Sequence, residues 1–263
     1  MKKEKTAVTA RSFRHYTPLL QELVVRDLKI KYRRSFLGYL WSLLNPLMMM
    51  AIMTVIFSYM FRFDIPNYPL YLICGQTMWT FFAESTNFAM HSVLNNGALI
   101  RKVYIPKYIF PVSRVLSSFV TMSFSLVAIL VVLLVTGVSL TWKLILAPIP
   151  LLLLLIFCVG VGMALSAVAV YFRDVLHLYS VLIMAWMYAT PIFYPMEALP
   201  EKISFLLKFN PMYHYITFFR QVVLYGDLPT IGIWGGCLLS SAVALGVGLL
   251  IFRKLQKNFI LHV

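Results

Sequence analysis

The hydrophobic pattern of the chain consists of long apolar runs separated by short polar connections. A membrane-spanning helix needs about 20 mostly apolar residues, because it must cross roughly 30 Å of hydrocarbon and satisfy its own backbone hydrogen bonds there. Six runs meet this requirement, over residues 37–61, 69–93, 110–136, 142–171, 176–194 and 230–252. The pattern therefore predicts an all-α membrane protein with six transmembrane helices.

The N-terminal arm, residues 1–36, has a different pattern. Thr17 is suited to cap a helix that begins at Pro18. Apolar or aromatic side chains recur every four residues, at Tyr16, Leu20, Val24, Leu28 and Tyr32, and basic residues are interleaved with them. The arm is therefore predicted to form an amphipathic helix in the cytoplasmic membrane interface.

The stretch 197–227, between the fifth and sixth runs, contains apolar clusters that are too short to span a membrane. Asn210 and Pro211 interrupt it, so short re-entrant or interfacial helices are expected. The chain thus divides into a cytoplasmic arm, 1–36, and a transmembrane domain, 37–263. This domain includes the external segment and a cytoplasmic tail, 253–263.

Composition and charge support the membrane assignment. Hydrophobic residues make up 61% of the chain and charged residues 12%, with a mean hydropathy of +0.83, whereas about a quarter of a soluble protein is charged. The formal net charge is +14, and 18 of the 23 Lys and Arg residues lie on one side: in the arm, the connection after the second run with the start of the third, the connection after the fourth run, and the tail. The positive-inside rule then places both termini in the cytoplasm. This charge is expected to attract anionic lipids, not nucleic acid, because a nucleic-acid-binding protein would not contain such apolar runs.

Motifs for nucleotide or metal chemistry are missing from the sequence. It has no Walker A motif, and no Gly is followed directly by Lys. It has no His-Glu-x-x-His or Cys-x-x-Cys motif, its five His are scattered, and its three Cys lie within apolar runs. We therefore expect no metal site, no catalytic residues and no cofactor in this chain.

The most polar feature within a run is one face of the second, formed by Glu84, Asn87 and His91 at spacings i, i+3 and i+7. An ionisable residue inside a membrane suggests a substrate path or a proton relay, and the structural alternative is an internally hydrogen-bonded packing face. A packing face or a path lining is favoured, because no second ionisable face supports a relay. Small residues spaced four apart, at 160 and 164, 162 and 166, and 232 and 236, predict close helix packing.

Aromatic residues make up 15% of the chain. Most are expected in interfacial belts or in core packing. An aromatic wall also suits sugar rings, which have an apolar face and a hydroxylated rim. Six residues in the first, second and fifth runs are candidates for such a conduit: Tyr39, Trp41, Trp79, Phe82, Trp186 and Tyr188.

Several segments together resemble one known family. They are residues 31–46 (Lys-Tyr-Arg-Arg-Ser-Phe-Leu-Gly-Tyr-Leu-Trp-Ser-Leu-Leu-Asn-Pro), 96–106 (Asn-Gly-Ala-Leu-Ile-Arg-Lys-Val-Tyr-Ile-Pro), 171–175 (Tyr-Phe-Arg-Asp-Val), Asn210-Pro211, Phe219-Arg220 and 252–259 (Phe-Arg-Lys-Leu-Gln-Lys-Asn-Phe). In this order they are similar to the type-2 ABC permeases that export cell-surface polysaccharides, such as O-antigen, capsule and teichoic acid.

The resemblance implies a subunit of an ATP-driven exporter of lipid-linked polysaccharide, multi-pass in the bacterial cytoplasmic (inner) membrane. It implies a homodimer with two separate ATP-binding subunits, which would bind ATP and Mg, and a glycan that passes between the protomers along the first and fifth spans. The coupling elements of the family fall on seven residues here: Arg101, Lys102, Tyr104, Ile105, Pro106, Arg173 and Asp174. The sequence departs from the family after Phe259, where Ile260-Leu261-His262 replaces a frequent acidic residue and puts a tail contact to the partner in doubt.

Two other classes of protein remain as alternatives. A membrane-embedded enzyme acting on lipid-linked sugars would need convergent carboxylates or His, and the nine acidic residues do not cluster in the sequence. A secondary transporter should show an internal repeat and ionisable pairs near the membrane midplane. No convincing repeat is found, and Glu84 is the single acidic residue deep in a run.

Overall fold

The computed structural model describes residues 2–33, 38–60, 65–103, 105–196 and 199–259, without the side chains of 2–15, 32, 58–60 and 203–204. Every regular element in these ranges is helical. The α-helices are α1 (Lys2–Tyr32), α2 (Trp41–Met60), α3 (Tyr68–Asn95), α4 (Gly97–Lys102), α5 (Ile109–Val135), α6 (Pro148–Tyr171), α7 (Val175–Tyr188), α8 (Glu201–Leu207), α9 (Pro211–Arg220) and α10 (Ile231–Leu255). Shorter turns adjoin them at Gly38–Leu40, Trp142–Leu146, Gln221–Tyr225 and Gln256–Asn258.

Four helical stretches in the described ranges are long and apolar enough to cross a membrane. They are Gly38–Phe57, Ile109–Val135, Trp142–Tyr171 and Ile231–Asn258. They coincide with the first, third, fourth and sixth predicted spans, although the first prediction also extended into residues that the structure does not describe. The second and fifth predicted spans correspond to helices of a different kind, α3 and α7.

Helix α3 is the centre of the bundle. It has 28 residues and packs against α2, α5, α6 and α9, and most of its side chains are buried. Because protein surrounds it, it can carry Gln, Thr, Ser, Glu and Asn side chains that a lipid-facing helix would not tolerate. Its polar character is therefore a consequence of its central position.

Helix α7 is shorter than its predicted span. It has 14 residues, which is about 21 Å of helix, and ends at Tyr188, so the prediction of a helix over 176–194 is wrong beyond that residue. Pro191 explains the end, since a proline removes a backbone donor and disfavours helical geometry at the residue before it. Non-helical chain from 189 to 195 continues towards the start of α3, where the Tyr68 hydroxyl donates to the carbonyl oxygen of Phe193 at 2.8 Å.

Helix α1 differs from its prediction at its start. Thr17 and Pro18 lie inside the helix, which begins at Lys2, so the predicted capping role is wrong. The preceding residues include Lys, Glu, Ala and Arg, which favour a helix strongly enough to offset the one hydrogen bond that Pro18 cannot make. Leu23 is buried and Leu20, Val24 and Leu28 of the predicted stripe are half-buried, whereas Ile30 is 69% exposed. Helix α1 packs against α5.

Helices α6 and α10 make the closest contact in the bundle. A Cβ atom added at Gly160 would meet the backbone of Ala244, and one added at Gly248 would meet the backbone of Gly160. Gly162 lies against Ala89 of α3 in the same way, since a Cβ atom at Gly162 would lie 2.7 Å from the Ala89 methyl group. The prediction that small residues allow close packing is confirmed at residues 160 and 162. In the third pair, a Cβ atom at Gly236 would meet the His214 ring of α9, whereas nothing approaches Gly232 within 4 Å.

The predicted short helices between α7 and α10 are present as α8 and α9. Asn210 caps α9, since its side-chain oxygen accepts a hydrogen bond from the Met212 amide at 3.0 Å. Helix α9 lies against α3, α6 and α10, and the Tyr215 hydroxyl makes hydrogen bonds to Ser240, Ser241 and the Cys237 carbonyl of α10. Segment 211–220 is therefore embedded in the bundle, not lying loosely on it.

Candidate functional site

One end of the bundle, termed here the basic end, collects the exposed cations. It comprises α4, the connection 105–108, the connection after α6, and the C-terminal segment 253–259. Six exposed side chains carry its positive charge: Arg101, Lys102, Arg173, Arg253, Lys254 and Lys257. The opposite end, formed by the start of α3, the turn Trp142–Leu146 and the connection before α10, has fewer cations in the described ranges.

The residues predicted to couple to an ATPase lie at the basic end. Arg101 and Lys102 form the exposed last turn of α4, and Arg173 and Asp174 form the exposed turn between α6 and α7. Ile105 and Pro106 are half-buried beneath them. Two apolar side chains between the charges, Val103 and Phe172, are 50% and 67% exposed. Tyr104, also a predicted coupling residue, lies outside the described residues.

The C-terminal segment is fastened to this same surface. Phe259 is completely buried, and its ring packs against Phe252 and Tyr171. The Tyr171 hydroxyl donates to the Leu255 carbonyl at 2.8 Å, and the Lys107 ammonium donates to the Gln256 carbonyl at 2.6 Å. Partial burial lowers the pKa of Lys107 from its ordinary value. The basic end is thus held by these contacts, and residues 260–262, where the sequence departs from the family, lie outside the described residues.

The polar face of α3 is divided between two environments. Glu84 forms an ion pair with Lys31 at the end of α1, with 3.1 Å between the carboxylate Oε2 and the ammonium nitrogen. Asn87 and His91 are half-buried further along α3. Glu84 and Trp41, two of the predicted conduit residues, line one cavity between α2, α3 and α5.

The six aromatic candidates separate into an interior group and an exposed group. Trp79 and Phe82 are buried, and both rings contact Trp186 edge-on, at centroid distances of 6.3 Å and 5.1 Å. Tyr39, Trp41 and Tyr188 are instead 48%, 45% and 64% exposed on the outside of the chain. The first group packs the core, and the second is available to another molecule.

Arg220, one of the five Lys and Arg residues outside the 18 that set the predicted orientation, is buried. Its guanidinium donates to the carbonyl oxygens of Tyr71, Pro191 and Ile192 at 3.0, 2.8 and 2.9 Å, and it stacks 3.4 Å from the Tyr71 ring centroid. Gly75 leaves room for it, since a Cβ there would overlap the guanidinium. Arg220 therefore fixes the non-helical chain after α7 to α3 and α9. Its position in Phe219-Arg220, one of the segments that resemble the family, is the sequence signal that could have indicated a structural role for Arg220.

Asp27 is a second residue that sequence reasoning missed. Its carboxylate is buried between α1 and α5, 3.1 Å from Arg114 Nη1 and 3.2 Å from Arg26 Nη2. Ser117 donates to the same carboxylate at 3.5 Å. An acidic residue four positions after Leu23, on the apolar side of a basic helix, was the available signal. This contact attaches the interfacial helix α1 to the transmembrane bundle.

Comparison with known proteins identifies the family. The family model described as "ABC-2 type transporter" matches residues 18–224. The chain belongs to the ABC-2 type transporter family. This ABC-2 chain is 35% identical over 249 residues to the Klebsiella pneumoniae protein named "O-antigen export system permease protein RfbA", covering 92% of this chain and 93% of that protein. It is 32% identical over 251 residues to the protein of the same name from Myxococcus xanthus, covering 95% and 96% of the two chains.

A more distant relative has a related name. The Escherichia coli "Polysialic acid transport protein KpsM" is 22% identical over 254 residues, covering 90% of this chain and 93% of that protein. Members of the ABC-2 family are transporter permeases, so this chain is a multi-pass membrane subunit and is not itself a catalytic enzyme.

Proposed function

We propose that the chain is the transmembrane subunit of an ATP-driven exporter that moves a lipid-linked polysaccharide across the bacterial cytoplasmic membrane. The observation that carries this proposal is the match, over more than nine-tenths of both chains, to proteins named O-antigen export permeases. The capsule-type relatives extend the same substrate class to other surface polysaccharides. The substrate proposed here is therefore a lipid-linked surface glycan as a class.

The energy source is proposed to be a separate ATP-binding subunit, two copies of which dock on the basic end and hold ATP and Mg. The sequence contains no Walker A motif of its own. The basic end supports docking because it combines exposed cations with the exposed apolar side chains of Val103 and Phe172 on a rigid base. Arg101, Lys102, Arg173 and Asp174 would contact the partner directly, whereas Ile105 and Pro106 would hold the surface in place.

Charge reversal of Arg101 and Lys102 together tests this surface. We expect Arg101→Glu/Lys102→Glu to weaken copurification of the ATPase or to uncouple ATP hydrolysis from export, because like charges across an interface repel. The matched control is Lys202→Glu/Lys208→Glu, which reverses the same charge at two exposed positions away from the basic end. Equal copurification and export in wild type and the α4 variant would remove these two residues from the interface.

The proposed topology is six crossings with both termini in the cytoplasm. Helix α3 crosses as the shielded centre of the bundle, and α7 together with chain 189–196 makes the fifth crossing. Three contacts support this path: Tyr179 to Thr86, Trp186 to Trp79, and Phe193 to Tyr68. As the chain proceeds from α7 to residue 193, its contacts with α3 move towards the N-terminal end of α3. Helices α8 and α9 then form a re-entrant segment from the external side.

Cysteine labelling tests the orientation. We expect Glu201→Cys to react with an impermeant thiol reagent in intact cells and Lys257→Cys to react only after the membrane is opened, because most basic residues lie on the Lys257 side. Both positions are exposed, and the three native cysteines are buried and should give little background. Labelling in the reverse order would overturn the orientation.

A homodimer with the glycan passing between its protomers is the proposed transport unit. Helices α2 and α7 support this arrangement, because they bury the fewest side chains among the long helices and expose Tyr39, Trp41 and Tyr188 nearby. In this arrangement the exposed aromatic rings contact sugar faces, and the buried group of Trp79, Phe82 and Trp186 supports the wall from behind. Asn87 and His91 would contribute polar groups only where α3 approaches the path.

A further inference from the structure

A cavity with both polar and apolar lining lies between α2, α3 and α5. Its volume is about 200 Å³. Eight of its lining side chains bear a hydroxyl or amide group: Ser42 and Asn45 of α2, Gln76, Thr77 and Thr80 of α3, and Ser118, Thr121 and Ser125 of α5. Trp41 and Met49 of α2 provide aromatic and apolar surface on the opposite side.

Three polar atoms of this lining are buried without a hydrogen-bond partner among the described residues. They are Gln76 Oε1, Thr77 Oγ1 and Ser118 Oγ. The residues Thr77 and Ser118 are only 4% and 5% exposed. Leaving a buried polar group unpaired destabilises a fold, so three such atoms around one cavity indicate that something else satisfies them.

The charge of the cavity argues against an anion as that occupant. Lys31 is the cation in the lining, and it is already paired with Glu84, which also lines the cavity. Hydroxyl and amide groups that can donate and accept, together with the aromatic side chains of Trp41 and Phe81, instead complement an uncharged ring with hydroxyl groups. At about 200 Å³ the cavity is below the roughly 300 Å³ lower end of drug-sized pockets, so its volume suits a single ring.

We propose that this cavity binds one sugar ring of the transported glycan. The site is formed within each protomer, and Trp41 is shared between it and the proposed path between protomers. Gln76, Thr77 and Ser118 would hydrogen-bond the ring hydroxyls, and Trp41 would cover its apolar face. The inference rests on the proposed export function, and it adds a specific subsite between the interfacial helix α1 and the interior of the membrane domain.

Isosteric substitutions test the subsite. Thr77→Val and Ser118→Ala remove hydroxyls that have no partner within the described residues, so the protein should be as stable as wild type or more stable. If the hydroxyls bind sugar, each variant should lower the rate of glycan export about fivefold, the equivalent of one hydrogen bond. Thr54→Val is the matched control. Thr54 Oγ1 is also buried without a hydrogen-bond partner among the described residues, but Thr54 does not line the cavity.

A photoreactive probe tests binding directly. The complex of chain and ATPase, in lipid nanodiscs, is irradiated with a decyl β-glucoside that carries a diazirine beside the sugar, and the labelled peptides are mapped. We expect labelling in α3 and α5 around the cavity, competed by decyl glucoside but not by decyl phosphate, and lost in Thr77→Val/Ser118→Ala. Competition by decyl phosphate to the same extent would overturn the sugar assignment in favour of a lipid phosphate.

The remaining outcomes separate this inference from the proposed function. If wild type exports glycan while both single variants export normally and the probe labels no cavity peptide, the cavity holds only water and the subsite is refuted. If wild type with its ATPase moves no glycan, the proposed function itself fails, whatever the probe labels. Reduced export with lowered thermal stability in both variants would also refute the subsite, because it would show that the hydroxyls have structural partners.

Discussion

Replacing Gly248 with leucine is expected to prevent the chain from accumulating as a folded protein. A Cβ at this position meets the backbone of Gly160, 2.7 Å from its carbonyl carbon and 2.9 Å from its Cα. Backbone cannot rotate out of the way as a side chain can, so α6 and α10 would have to separate along their shared contact. Overpacking of an interior costs about 1–3 kcal/mol where side chains can adjust, and more is expected at a backbone crossing.

Gly246→Leu is the matched control for this prediction. It lies one half-turn away on the same helix, and nothing approaches its Cβ position within 4 Å. Size-exclusion profiles and thermal unfolding in one detergent compare the two variants. Equal stability of Gly248→Leu and Gly246→Leu would show that α6 and α10 do not pack as described.

Replacing Arg220 with methionine is expected to destabilise the chain by about 3 kcal/mol or more, since hydrogen bonds to a charged group each contribute about 1.5–3 kcal/mol. The substitution would leave the buried carbonyl groups of Tyr71, Pro191 and Ile192 without their donor. Arg220→Lys should restore only part of the loss, because one ammonium cannot reproduce the planar fork of the guanidinium. Thermal unfolding and protease cleavage between residues 189 and 196 are the measurements.

Lys202→Met is the control for Arg220→Met. Lys202 is an exposed cation of α8, and its loss should leave unfolding unchanged. If Arg220→Met unfolds at the wild-type temperature with no new cleavage, the chain after α7 is not fixed by this side chain. If Arg220→Lys is as stable as wild type, one hydrogen bond is sufficient, and bonding to all three carbonyl groups does not add to the stability of the chain.

The sequence predicted the long lipid-exposed helices well, because a run of apolar residues is a local property. Helices α5, α6 and α10 lie within a few residues of their predicted bounds. The end of α7 was misplaced because hydropathy stays high through Pro191 and Ile192, while helix geometry fails there. The start of α1 was misplaced because a Thr-Pro pair resembles a cap but does not prevent a helix that began earlier.

The candidate site was less predictable, because its contacts join residues far apart in the sequence. Nothing local distinguishes the interior Arg220 from the exposed Lys202, yet one bonds to α3 across 149 positions and the other faces outwards. The pairing of Asp27 with Arg114 and of Lys31 with Glu84 likewise depends on how α1 lies against the bundle. The position of the basic end could be predicted, since the positive-inside rule needs only the order of helices and cations.

Export of a glycan that is made elsewhere in the cell is the proposed function of this chain. Deleting the chain from its host, and measuring surface polymer and lipid-linked polymer inside the same cells, tests this function most directly. We expect surface polymer to disappear from the deletion strain while lipid-linked polymer accumulates in the cytoplasmic leaflet. Reintroducing the intact chain should restore the surface polymer. Unchanged surface polymer, or the absence of lipid-linked polymer inside, would contradict the proposed function, and the second result would instead favour an enzyme that builds the polymer.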